Sequence, residues 1–88
     1  MTLITRTLIA DKLLAYLRHQ LPLAELVAWS EAAILDADFE EGDEPVLMEA
    51  LAKLGVADVR AFGLTWEDCD AIMQRLGYTL HVDASRAA

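Results

Sequence analysis

The chain is predicted to be all-α: a compact bundle of four to five short helices, followed by a short extended segment at the C-terminal end. Three observations carry that expectation. Alanine and leucine fill 30 of the 88 positions, a composition that favours helices over sheets. Apolar residues recur at three- and four-residue spacing through most of the sequence. Pro22 and Pro45 stand where helices can begin, and Gly55, Gly63 and Gly77 stand where they can end.

The first helix is expected over TLIADKLLAYLRHQL, starting near Thr7, whose hydroxyl can accept a hydrogen bond from a first-turn amide. Ile9, Leu13, Tyr16 and Leu17 make its apolar stripe, Leu14 and Leu21 widen it, and Asp11, Lys12 and Arg18 are left to face water. Pro22 cannot continue that helix but suits the first position of another. A second helix is therefore expected from Pro22 to Ala37, with Leu23, Leu26, Val27, Ser30 and Ile34 inward and Trp29 and Ala33 beside them.

PVLMEALAKLG reads as a third helix, with Asp43 or Glu44 at its amino end, Lys53 and Gly55 at its carboxyl end, and Leu47, Ala50, Leu51 and Leu54 inward. VADVRAFG could add a short turn of helix. LTWEDCDAIMQRLG has the strongest boundary signals: Thr65 as N-cap, Asp68 reaching back to it, Leu64 as a staple toward Cys69, and Gly77 as terminator. Cys69, Ile72, Met73 and Leu76 form its core stripe. The alternation in Tyr78-Thr79-Leu80-His81-Val82-Asp83 suggests an extended strand that must pack on the helices or pair with another chain.

Eighty-eight residues fit one domain, residues 1–88, with one modest core, because a chain of this length buries only about 60–65% of the surface its unfolded form exposes. The formal charge is −8, from 15 Asp and Glu against 7 Lys and Arg, so nucleic acid and anionic membrane surfaces are poor partners. A single cysteine allows no intrachain disulfide, and the first twenty residues lack the unbroken apolar run of a signal peptide or membrane helix, so a cytoplasmic location is expected.

Residues 36–44 concentrate six carboxylates in nine positions. Asp36, Asp38 and Glu40 have the spacing that opens an EF-hand calcium loop, but Glu41 stands where that loop needs glycine and Leu47 where it needs its final glutamate. No metal or cofactor is therefore expected. His19, Cys69 and His81 have no zinc-ligand spacing, and there is no phosphate-binding glycine loop, HExxH or nucleophile elbow, so an enzyme is not expected either. VLMEALAKLGVADVRAFG resembles the outline of a helix-turn-helix unit; a transcriptional regulator of that kind would have only Arg60, with Asp58 beside it, on its recognition helix.

Charge distribution points elsewhere. Between Arg18 and Lys53 the chain has nine carboxylates and no lysine or arginine. Such a surface speeds encounter with a basic partner and rejects an acidic one. The leading expectation is a small acidic protein-interaction module, an inhibitor or accessory factor that binds a basic protein. Glu25, Glu31, Asp38, Glu40, Glu41, Asp43 and Glu49 are the candidates to meet Lys or Arg, with Trp29 and Phe39 as apolar anchors. The alternative is a helical homo-oligomer without catalytic activity, closed through Trp29, Trp66, Tyr78 and the terminal strand.

Overall fold

A computed structural model describes residues 3–36, 38–59 and 63–81. Along the chain these form β1 (Leu3–Ile4), α1 (Arg6–Leu17), α2 (Leu23–Asp36), β2 (Asp38–Phe39), α3 (Glu44–Gly55) and α4 (Trp66–Leu76). The helical bundle expected from the apolar spacing is present, with four helices among the described residues. None of them is long and apolar enough to cross a membrane.

All four helices contribute to one buried cluster. Ile9 and Leu13 come from α1, Leu26 and Ala33 from α2, Leu47, Leu51 and Leu54 from α3, and Cys69, Ile72, Met73 and Leu76 from α4. The most extensive helix contact is between α2 and α3. Ser30 is fully buried on the inner side of α2, where its hydroxyl donates to the Leu26 carbonyl at 2.9 Å and is thereby satisfied.

Two helix ends match their sequence signals closely. At α4, the Thr65 hydroxyl accepts from the Asp68 amide at 3.1 Å while the Asp68 carboxylate accepts from the Thr65 amide at 3.0 Å, a reciprocal capping box. Its other end stops at Gly77, which has φ +93°, a left-handed conformation that costs glycine little. Four boundaries differ from expectation, one of them the end of the first helix, which stops at Leu17 and not at Leu21. The first helix starts two residues earlier, because Thr5 and not Thr7 accepts from the Leu8 amide, and the Thr7 hydroxyl instead bonds that of Tyr78 at 3.1 Å. The second begins at Leu23, with the Pro22 carbonyl accepting from the Glu25 and Leu26 amides, and Ala37 lies outside the described residues. The third includes Glu44, one residue before the expected start.

The C-terminal end of α1 is closed by a residue that the sequence does not advertise. Gln20 donates to the Ala15 carbonyl and His19 to the Tyr16 carbonyl, the paired bonds of a Schellman turn, and this requires His19 to adopt φ +62°. A side chain with a Cβ is strained there by about 1–2 kcal/mol, offset in a glycine variant by the greater freedom of the unfolded chain. His19→Gly is therefore expected to stabilise the fold by about 0.5–1 kcal/mol in urea unfolding. An unchanged or lowered midpoint would contradict a left-handed turn at this position.

The strand expectation needs correction. Residues 78–81 form no ladder; Leu80 is half-buried against the core and the neighbouring Tyr78, Thr79 and His81 are exposed, while Val82 and Asp83 lie outside the described residues. The two-stranded sheet comes instead from β1 and β2, paired in parallel with Leu3 opposite Asp38 and Ile4 opposite Phe39. It places a strand inside the acidic run.

Candidate functional site

The acidic run is shaped by what it is tied to. Ile4 is fully buried and Phe39 is half-buried against the core, while their strand neighbours Leu3 and Asp38 point outward, the alternation that a strand imposes. The Glu40 amide extends the pairing by donating to the Ile4 carbonyl at 2.9 Å. The chain then turns through Gly42, which has φ +89°, and the Asp43 amide donates back to the Glu40 carbonyl at 3.3 Å. The segment from Asp38 to Asp43 is consequently held on both sides of its turn.

Arg6 makes the second tie. Its Nη2 donates to Asp43 Oδ1 at 2.9 Å, and its Nη1 donates to the Leu76 carbonyl at 3.1 Å. That carbonyl belongs to the last turn of α4, the negative end of the helix dipole, so one guanidinium joins the start of α1, the start of α3 and the end of α4. The hydrogen bond from Arg6 holds the Asp43 carboxyl below its ordinary pKa, against the opposing effect of desolvation. Asp43 sits at the N-cap position of α3 but makes no capping hydrogen bond with its side chain, since Arg6 has taken it.

A second pair of ties crosses between α3 and α4. Arg75 meets Glu49 at 2.8 Å and Lys53 meets Asp68 at 3.1 Å. Beneath them lies a groove of about 80 Å³ with Val46, Ala50, Ala71 and Ile72 among its lining residues. The Asp68 carboxyl is also held below its ordinary pKa, first by the Thr65 amide and then by Lys53. For both aspartates the folded pKa lies below the unfolded one. Their contribution to stability is thus present above the ordinary carboxyl range and lost as pH falls through the lowered values.

These contacts sort the candidate residues. Asp38, Glu40 and Glu41 are exposed on the strand and turn, and none of them makes an ion pair among the described residues. Asp43 and Glu49 are occupied by Arg6 and Arg75. Phe39 folds back onto the core instead of standing free. Trp29 is half-buried too, with Lys12 Nζ at 5.5 Å from its ring centroid in a cation–π contact. Glu25 and Glu31 are exposed on α2, Glu31 on the flank where its Cγ lies beside Gly55 of α3, and Glu25 about 16 Å back along the helix from Asp36.

The mid-chain carboxylates with described side chains therefore do not make one continuous field: they divide into the loop, the exposed side of α2, and positions paired with arginine. Glu44, counted in the acidic run but not among the candidates to meet Lys or Arg, is exposed beside the turn and joins the loop group. Its place in the 36–44 run was the available signal.

Among the described residues no three His, Cys, Asp or Glu side chains converge as metal ligands. Residues 56–58 form a turn where a helix-turn-helix unit would begin its second helix, and Arg60 lies outside the described residues. Lys53 and Arg75, two of the cations that a nucleic-acid surface would need, are held in ion pairs. No family model, curated protein or solved structure matches this chain.

Proposed function

We propose that the chain is a small acidic interaction module that binds a basic protein in the cytoplasm, acting by stoichiometric capture as an inhibitor or accessory factor. The observation supporting this is the contrast within the acidic run. Asp43 is used internally, whereas Asp38, Glu40, Glu41 and Glu44 are exposed without an ion-pair partner among the described residues. They stand on a turn fixed by β-pairing at one end and by Arg6 at the other.

Crowded carboxylates repel one another, and a run whose one ion-paired cation among the described residues, Arg6, is engaged by Asp43 leaves much of that repulsion for something else to relieve. Lysine and arginine side chains of a partner relieve it while supplying specificity. Exposed charge of this kind contributes mainly to encounter rate and partner choice, because desolvation offsets much of the attraction once a pair is buried.

The test is capture from native host extract on immobilised wild-type chain, beside a variant with Asp38→Asn, Glu40→Gln, Glu41→Gln and Glu44→Gln. A lysine- or arginine-rich protein is expected to be retained by wild type near physiological ionic strength and lost from the variant, with helicity equal in both. Its affinity should fall about tenfold or more as salt is raised from about 0.05 to about 0.5 M. Equal retention by the variant removes the loop from the assignment, and an affinity flat in salt removes electrostatic recognition.

A further inference from the structure

We infer that the outer face of α2 is a docking surface for a basic amphipathic helix, an inference that rests on the basic-partner reading and moves its centre from the loop to the helix. α2 is apolar on two sides. Leu26, Val27, Ser30 and Ala33 are buried against the bundle, as one helical face should be. On the opposite side Ala24, Ala28, Ala32 and Leu35 follow one another at intervals of four, four and three residues, and all four are exposed. Leu35 has 81% of its surface in solvent, the most of any large apolar side chain described. A helix with apolar residues on both sides is ordinarily covered on both.

The shape of this face suits another helix. Three alanines in a row leave no side-chain bulk above the backbone, so a second helix can approach toward the short end of the usual interaxial range, about 8 Å. The stripe runs about 16 Å, or three turns, and Leu35 at its end offers a knob for a facing hole.

Charge decides between occupants. Glu25 borders the stripe on one side and Glu31 on the other, both exposed, and no lysine or arginine occurs anywhere between Arg18 and Lys53. The nearest cation shown against α2 is Lys12, and it lies over the Trp29 ring. If a second copy docked here in antiparallel fashion about Ala28, the two Glu25 side chains would share one edge of the contact and the two Glu31 side chains the other; in a parallel arrangement Glu25 of each copy would share an edge with Glu31 of the other. Like charges meet either way. A partner helix with an alanine–leucine stripe flanked by lysine or arginine satisfies both glutamates and covers the apolar residues at once. Anionic lipid is rejected by the same two glutamates.

The experiment uses the full chain and two synthetic peptides of about 15 residues, one a helix with an alanine–leucine stripe flanked by lysines, the other a scramble of equal composition without the stripe. The amphipathic peptide is expected to bind at least about tenfold more tightly than the scramble. Ala28→Arg and Leu35→Ser should each erase that preference while circular dichroism and melting stay unchanged, since both positions are exposed.

Equal affinity for the two peptides overturns the inference; if the loop-neutralised variant then loses both, the basic-partner reading survives without the helix face. Failure of both peptides to bind also overturns it. In that event, sedimentation of the wild type as a dimer that Ala28→Arg dissociates would identify a second copy as the occupant.

Discussion

Leu51→Ala is expected to destabilise the folded chain by about 2–5 kcal/mol, enough to lower its melting temperature by about 10–30 °C. Leu51 is fully buried in α3, within the cluster to which all four helices contribute. Removing its three outer carbons forfeits their transfer from water and leaves a void, which neighbours fixed on four separate helices can fill only in part. For a domain of this size the whole folding free energy is of order 5–10 kcal/mol, so one substitution removes a large share of it. Urea unfolding measures the effect as a lower midpoint with little change in slope. The matched control is Leu35→Ala. The same atoms are deleted from a side chain that is 81% exposed, and stability should change by no more than about 0.5 kcal/mol. A loss at Leu51 no larger than that at Leu35 would contradict the placement of the core. The small effect at Leu35 has a second meaning: a leucine that does little for folding is available for another purpose, which is where the proposed helix dock begins.

The helices were legible because their information is local. α4 shows this best: Thr65, Asp68 and Gly77 occupy the positions where orphaned amides and carbonyls need partners, and each does there what its chemistry predicts. What the sequence concealed was contact across long separations. The pairing of Leu3 with Asp38 joins two strands of two residues each, too short for any alternation to announce them, and aspartate is a poor strand former. The alternating tail promised a strand more openly, yet the left-handed turn at Gly77 and the burial of Leu80 use those residues for packing. Arg6 and Asp43 are 37 positions apart, and Arg75 and Glu49 are 26 apart. Composition correctly located an excess of negative charge, but which carboxylates remained available depended on these distant arginines. Exposed apolar residues on α2 were hidden for a different reason. Alanine and leucine are good helix formers on any face, so their presence identified the helix without identifying which side had been left uncovered.

Cys69 supplies a test of burial that is independent of side-chain truncation. The thiol lies in the early part of α4, where the helix dipole favours a thiolate, but burial opposes ionisation and the adjacent Asp68 carboxylate adds to that opposition. The result is a pKa raised from 9.0 to about 11. Because the folded pKa is the higher one, the thiol's contribution is fully present below pH 9.0 and is lost as pH rises through about 11. In that interval the unfolded chain gains thiolate while the folded chain still resists it. A difference of about two pKa units corresponds to about 3 kcal/mol. The stability of wild type relative to Cys69→Ala should accordingly stay constant up to pH 9 and then shrink by about that amount above pH 11. Tyrosine and lysine ionise in the same range, but they are common to both chains and cancel in the comparison. A difference that stays flat to high pH would mean that the thiol reaches solvent, and α4 would then be packed with another face toward the core.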